Sequence, residues 1–241
     1  VLELLGRSGV NLSALVLEPE GRNTAATAAL AAIVAQEIDP EAHVLLMPAD
    51  HLVADRQSLV EAVRAASAVV ADSIVTFGIK PTAPETGYGY ILQGETLSEG
   101  VHRVAAFKEK PALEVAEQYV RDGGYSWNSG MFFFAPEILL EEFSIAGADI
   151  RDDAHEAFKR ARRENTVEIH LDPETFARVR NEAVDRAVME KTARAAVAPC
   201  DIGWADVGSW AELWRLSSKD EQGNAVTGSS TLLDAENNLI R

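Results

Sequence analysis

Val44-Leu-Leu-Met-Pro-Ala-Asp-His51 is the stretch from which the fold of this chain can be read. An apolar run, Val44 to Met47, stops abruptly at Pro48, and the acid Asp50 follows at once. A short run without a polar residue predicts a buried strand of a parallel sheet. In open α/β sheets ligands bind just beyond the carboxyl ends of the strands. Asp50 is therefore placed either to hold a metal over a phosphate or simply to cap the next helix.

Strand and helix signals alternate on both sides of this stretch. Leu15-Val-Leu17 reads as a strand, and the Ala-rich segment Ala25 to Gln36 as a helix that Asn23 or Thr24 could cap. A helix is expected from about Ser58 to Ala71 and a strand over Ile74 to Ile79. Gly87 to Leu92 and Val101 to Phe107 read as extended segments joined by a turn at Glu99-Gly100. Leu113 to Arg121 is helical, with Gly123-Gly124 as its stop. Trp127 to Phe134 reads as a strand with a polar insert, and Pro136 opens a helix. Asp152 to Asn165 reads as a charged, solvated helix face, Val184 to Lys191 as a short helix and Ala195 to Ala198 as a strand. Asp206 to Trp210 leads into a last helix through Trp214, and polar Ser217 to Ser230 reads as a linker. Leu232 to Asn238 reads as a strand, a turn and the start of another strand. The alternation predicts an α/β fold: a mixed, mainly parallel sheet with helices on both faces. Gly87 to Phe134 has more strand than helix, which predicts an antiparallel insertion over the carboxyl edge.

Composition narrows the chemistry. The chain has 241 residues, 47% of them hydrophobic, enough to build a full core. With 22 Lys and Arg against 38 Asp and Glu, the net charge is −16. That argues against a nucleic-acid partner, which would demand a basic face. It also means that a phosphate ligand would need a metal ion and a few local cations. The single cysteine, Cys200, excludes a disulfide framework or a cysteine-rich zinc site, and a reducing, cytoplasmic location is expected. No run approaches transmembrane length and no signal peptide is visible, so no membrane partner is expected.

Four further strings carry chemistry. Pro81-Thr-Ala-Pro-Glu-Thr-Gly-Tyr-Gly-Tyr-Ile91 offers Gly87 and Gly89 for close backbone approach to a ligand, and Tyr88 for a flat face; a hairpin edge is the plainer reading. Phe107-Lys-Glu-Lys-Pro111 sets Glu109 and Lys110 side by side, a carboxylate for hydroxyls and an ammonium for phosphate. Trp127-Asn-Ser-Gly-Met131 places Asn128 and Gly130 before an apolar strand, as a sugar-binding amide or a β-bulge. Asp206-Val-Gly-Ser-Trp210 supplies a second acid, which with Asp50 and phosphate oxygens would suit Mg²⁺.

These strings, in this order, resemble the mannose-1-phosphate guanylyltransferases of the sugar-nucleotidyltransferase superfamily. The matched segments are Glu18-Pro-Glu-Gly-Arg-Asn-Thr-Ala25, Leu46 to His51, Phe77 to Ile91, Phe107 to Pro111, Trp127 to Phe132, Ala187-Val-Met-Glu-Lys191 and Asp206 to Trp210. The resemblance implies a Rossmann-like nucleotide-diphospho-sugar transferase fold. It implies that GTP and mannose 1-phosphate give GDP-mannose and pyrophosphate, with Mg²⁺, by in-line attack on the α-phosphorus. It makes Asp50 and Asp206 the metal ligands and Lys110 the holder of the sugar phosphate. Glu109, Asn128 and the Gly89 backbone would read mannose, and Lys191 would make a second phosphate contact. Glu18 sits where the superfamily contacts the base. Its carboxylate can accept from both N1–H and N2–H₂ of guanine, with Arg22 and Asn23 shaping the same loop.

The family's Gly-rich phosphate loop and its first strand do not match any part of this chain. Residues 1–216 are therefore expected to be an N-terminally truncated transferase domain, inactive and poorly stable alone. Residues 217–241 are expected to be a linker and the start of a C-terminal β region, which in the long form of the family joins a phosphomannose isomerase. Ala26, Lys108 and Arg186 depart from the family's usual residues away from any ligand, and only tuning is expected of them. The alternatives are a transferase for another sugar 1-phosphate and an inactive regulatory subunit of the same fold. Self-association is left open.

Overall fold

The computed structural model describes residues 2–7, 9–165 and 167–241. The chain opens with α1 (Leu2–Arg7), β1 (Leu15–Leu17), α2 (Asn23–Ile38), β2 (Val44–Leu46), β3 (His51–Val53) and α3 (Arg56–Ala66). There follow β4 (Ile74–Ile79), β5 (Tyr90–Ser98), β6 (Val101–Lys108), α4 (Leu113–Asp122), β7 (Tyr125–Phe134), α5 (Pro136–Ala146) and α6 (Ala148–Lys159). The last part holds β8 (Arg162–Glu164), β9 (Glu168–His170), α7 (Pro173–Phe176), a π turn (Asp185–Met189), β10 (Ala195–Pro199), β11 (Trp204–Asp206), α8 (Trp210–Leu216), β12 (Ala225–Val226) and β13 (Leu239–Ile240).

The main sheet has six strands in the order β2-β7-β4-β10-β6-β5, and β1, β9 and β8 form a separate three-stranded sheet. The sheet is mixed, as expected, but its pairing is less parallel than the alternation predicts. Only β4 and β10 pair in parallel within it; β7 runs antiparallel between β2 and β4. β2 is correspondingly an edge strand, half-buried and antiparallel to β7, where a buried parallel strand was expected. The strand covered on both faces is β4, every residue of which is buried. Apolar residues alone do not distinguish the two, because neighbours decide which apolar strand is covered. Nor is Gly87 to Phe134 an inserted layer: β5, β6 and β7 continue the main sheet.

Side chains alternate across β7 and join the two halves of the core. Phe132 and Phe134 enter the cluster under α2, α5 and α6, while Met131 and Phe133 enter the opposite one with Phe77 and Tyr90. Each fully buried phenylalanine contributes about 2–3 kcal/mol of transfer free energy. α2 packs on α5 and α6 through Ala25, Ala26, Ala28, Ala29 and Ala32, whose small side chains let the helices approach closely.

Several boundaries differ from expectation for local reasons. Arg22 is the N-cap of α2 and no side chain caps it; the Thr24 hydroxyl instead accepts the Val184 N–H at 3.0 Å. α3 starts earlier than expected because the Asp55 carboxylate accepts the Ser58 N–H at 3.0 Å. The charged segment after Asp152 ends its helix at Lys159 and then pairs as β8 with β9. The segment expected to be a linker is tied down. Trp214 Nε1 donates to the Gly223 carbonyl at 2.9 Å, Asp220 accepts the Asn224 N–H at 2.8 Å, and β12 pairs with β13. Leu232 is in no strand. Among the described residues no helix is long and apolar enough to cross a membrane.

Candidate active site

Two distant parts of the chain meet in a small antiparallel ribbon, β3 with β11, whose register sets His51 opposite Asp206. The Val207 N–H donates to the Asp50 carbonyl at 3.2 Å, and Asp55 N–H to the Ile202 carbonyl at 2.9 Å, extending the ribbon at both ends. Trp204 Nε1 donates to His51 Nδ1 at 3.1 Å and the two rings meet edge to face. The backbone thus brings Asp50 and Asp206 to the same wall of a cavity of about 460 Å³.

The opposite wall is built from three strings that bond to one another. The Asn128 N–H donates to the Gly89 carbonyl at 2.8 Å, and the Lys110 N–H to the Tyr88 carbonyl at 3.3 Å. Glu109 is buried; its N–H donates to Glu190 Oε1 at 3.0 Å, and its carboxylate lies 3.4 Å from the Lys110 ammonium. A Cβ on Gly89 would come within 2.7 Å of Glu109 Oε2, so the carboxylate lies against a backbone that only glycine leaves open. Lys110 itself has φ +48°, a left-handed conformation that costs a lysine backbone strain.

The register slips between β4 and β7, with Thr76 opposite Phe132 but Gly78 opposite Asn128. The extra residues form a bulge, Gly130 turning at φ +71°. The two readings of Trp127 to Met131 are therefore compatible, since the bulge is what brings Asn128, Ser129 and Gly130 to the cavity. Asn128 Oδ1 accepts from the Thr76 hydroxyl at 2.7 Å and the Gly130 N–H at 3.2 Å, and Asn128 Nδ2 donates to Asp185 Oδ1 at 2.7 Å. The amide therefore cannot serve a ligand in both directions, as its residue type alone would allow.

Tyr88 closes the cavity between the two walls, edge to face with both Trp127 and Trp204. Burial first, then the charges of Asp206, Glu212 and Glu85, push its hydroxyl up to about 12. Burial also raises the Cys200 thiol to about 11, so this cysteine is no nucleophile at neutral pH.

Of the sequence candidates, Asp50, Gly87, Tyr88, Gly89, Glu109, Lys110, Asn128, Gly130 and Asp206 line this one cavity. Glu18 does not; it lines a neighbouring groove and accepts from the Thr27 hydroxyl at 2.8 Å, and Thr27 belongs to both hollows. Arg22 turns back onto Glu20, and Asn23 lines a second hollow with Glu109, Lys110, Arg180 and Arg186. Arg186 is thus nearer the site than expected. Lys191 is exposed and lies outside the cavity lining; the adjacent Glu190 is the residue of that string that bonds to the site. Asp185, His51, Thr24, Thr27, Ser129 and Trp204 line the cavity without having been singled out for a role. For Asp185 a signal existed: it is the one acid in Val184-Asp-Arg-Ala-Val-Met189, a segment otherwise apolar but for Arg186.

The chemistry of this donor set fits a hard divalent cation. Asp50 and Asp206 offer carboxylate oxygens beside space for phosphate oxygens and water, the Mg²⁺ pattern. A Cβ on Gly208 would lie 3.0 Å from Asp206 Oδ1, so the acid sits against bare backbone there too.

Comparison with known proteins places the chain in a family. The Nucleotidyl transferase family model matches residues 2–223. The xanthan biosynthesis protein XanB of Xanthomonas campestris pv. campestris is 44% identical over 236 residues, covering 98% of this chain and 50% of that protein. The mannose-1-phosphate guanylyltransferase of Escherichia coli K12 is 44% identical over 234 residues, covering 94% of this chain and 48% of that one. A solved structure from Thermus thermophilus, named a mannose-1-phosphate geranyltransferase, superposes with a TM-score of 0.74 at 33% identity, covering 88% of this chain and 60% of the other. The chain spans about half the length of the curated relatives it matches. A family match running from residue 2 to residue 223 shows that the chain belongs to the nucleotidyl transferase family.

Proposed function

We propose that the protein transfers GMP from GTP to mannose 1-phosphate, giving GDP-mannose and pyrophosphate. The observation that carries this reading is that one cavity has an acid pair, Asp50 and Asp206, on one wall and Glu109, Lys110 and Asn128 on the other. A sugar phosphate held between them has its phosphate near both the lysine and the acids, and its hydroxyls near the buried polar groups. The names of the relatives support the sugar, and the acid pair supports a metal.

An oxygen of the sugar phosphate attacks the α-phosphorus of GTP in line. The new P–O bond forms as the bond to the β-phosphate oxygen breaks, and the electron pair leaves with pyrophosphate. No covalent enzyme intermediate is needed, so catalysis is positioning plus charge stabilisation. Lys110 holds the sugar phosphate, and Glu109 and the outward N–H of Asn128 bind mannose hydroxyls against the Gly89 backbone. Asp50 and Asp206 would hold Mg²⁺, which when bound neutralises charge on the phosphate oxygens. Glu18, beyond Thr27, would accept from guanine. Lys191 is given no part.

Pyrophosphate release by the full-length protein, with Mg²⁺, mannose 1-phosphate and each nucleoside triphosphate in turn, tests this. Release with GTP alone is expected. Release only with another triphosphate would overturn the guanine assignment, and release only with another sugar phosphate the mannose assignment. No release with any pair would point to a regulatory subunit of this fold.

A further inference from the structure

Asp185 is a half-buried cavity acid that the reaction as described leaves without a role. It lies in the π turn behind Asn128, and its Oδ1 accepts Asn128 Nδ2 at 2.7 Å. Asn128 has four hydrogen-bonding positions, two lone pairs and two N–H groups. Thr76, Gly130 and Asp185 take three of them, which fixes the carbonyl inward and leaves one N–H for a ligand.

Asp185 and Glu109 both line the cavity as carboxylates, and each acts electrostatically on the other. The cation that acts on Asp185, Lys110, pairs with Glu109 instead, at 3.4 Å. An anionic ligand group would be repelled from Asp185, and an apolar one would add no donor to it beyond Asn128. What complements two adjacent acceptors and one N–H donor is a polyol. Two neighbouring hydroxyls can each donate to a carboxylate while one of them accepts from the amide. A hydroxyl donated to Asp185 would also relieve the unfavourable burial that, with Glu109, raises its carboxyl to about 6.

We propose that Asp185 is a specificity-determining residue, which accepts a hydroxyl of the bound sugar beside the hydroxyl taken by Glu109 and holds the Asn128 amide with its free N–H outward. This deepens the reading of the cavity as a sugar 1-phosphate site and rests on it.

The test compares wild-type full-length protein with Asp185→Asn, using mannose 1-phosphate and its 2-, 3- and 4-deoxy analogues at saturating GTP and Mg²⁺. Asn at 185 keeps an oxygen for Asn128 but no longer offers a charged acceptor. The sugar-phosphate KM is expected to rise about tenfold or more, with the GTP KM unchanged within about twofold. In addition, one deoxy analogue that the wild type discriminates against about tenfold or more should be used by Asp185→Asn nearly as well as mannose 1-phosphate. If Asp185 only props Asn128, Asp185→Asn keeps wild-type discrimination at every position, and the proposal is overturned. Should Asp185→Asn fail to fold, the wild type alone decides. It must lose about tenfold or more with each of two adjacent deoxy analogues, and loss at one position or none overturns the proposal. A wild type that turns over no sugar 1-phosphate overturns both this inference and the reading beneath it. A wild type active on mannose 1-phosphate with unchanged discrimination in Asp185→Asn overturns this inference only.

Discussion

Asp185→Asn should make the ligand-free protein more stable at neutral pH and leave it unchanged in acid. Burial, and then the charge of Glu109, raises the Asp185 carboxyl from 3.8 to about 6 in the folded protein. The unfolded chain therefore gives up this proton near pH 4 while the folded chain keeps it until about pH 6. Below pH 4 both states are protonated and the carboxyl carries no penalty. As pH rises from about 4 to 6 the folded state loses stability relative to the unfolded one, and above 6 the loss is constant. About two pKa units correspond to about 3 kcal/mol. Asparagine fills the same space and does not titrate, and Glu109 and Lys110, the charged groups that face the position, are common to both proteins. Urea unfolding of wild type and Asp185→Asn at pH values from 4 to 8, without ligand, measures the difference. The two stabilities should coincide near pH 4 and part by about 3 kcal/mol at pH 7, the variant being the more stable. Curves that stay parallel, or a variant less stable at pH 7, would show that Asp185 carries no such penalty in the folded protein. A residue that destabilises the free protein in this way fits a binding role, where stability is commonly exchanged for function.

The other predictions concern the reaction. Asp50→Ala should lower kcat by orders of magnitude with no change in thermal midpoint, because the side chain is exposed and its proposed role is to hold the metal. Lys110→Ala should raise the KM for mannose 1-phosphate far more than that for GTP in steady-state kinetics; equal effects would contradict the sugar-phosphate role. Gly89→Ala should act on the sugar too, since its Cβ, 2.7 Å from Glu109 Oε2, drives that carboxylate off its hydroxyl; a KM rise of about tenfold is expected, without loss of fold. Glu18→Gln should erode the preference for GTP in a triphosphate competition assay, and an unchanged preference would remove Glu18 from the base site.

Much of the fold was legible because local chemistry set it. Gly123 stops α4 at φ +71°, Pro136 opens α5, and Gly100 turns β5 into β6 at φ +74°, each as its residue type dictates. What could not be read was which strands become neighbours. Val44-Leu-Leu46 and Ile74-Val-Thr-Phe-Gly-Ile79 are both apolar strands, and only the long-range insertion of β7 makes one an edge and the other the covered centre. The candidate site was legible where a cavity-lining side chain sits in a distinctive string, as with Asp50, Glu109, Lys110, Asn128 and Asp206. It was not legible where a role depends on partners far along the chain. Asn128 is fixed by Thr76 and Asp185, 52 and 57 residues away, and Glu18 is separated from the cavity by Thr27. Lys191 shows the converse error: its string is part of the site, but through the carboxylate of Glu190 accepting the Glu109 N–H.

One cavity joins the acid pair to the residues proposed to hold the sugar phosphate. A crystal structure of the full-length protein with mannose 1-phosphate and Mg²⁺ tests it most directly. The phosphate is expected between Lys110 Nζ and a metal held by Asp50 and Asp206, with sugar hydroxyls on Glu109 and Asp185. A sugar phosphate lodged in the neighbouring hollow of Asn23, Arg180 and Arg186, with its hydroxyls away from Glu109, would contradict it.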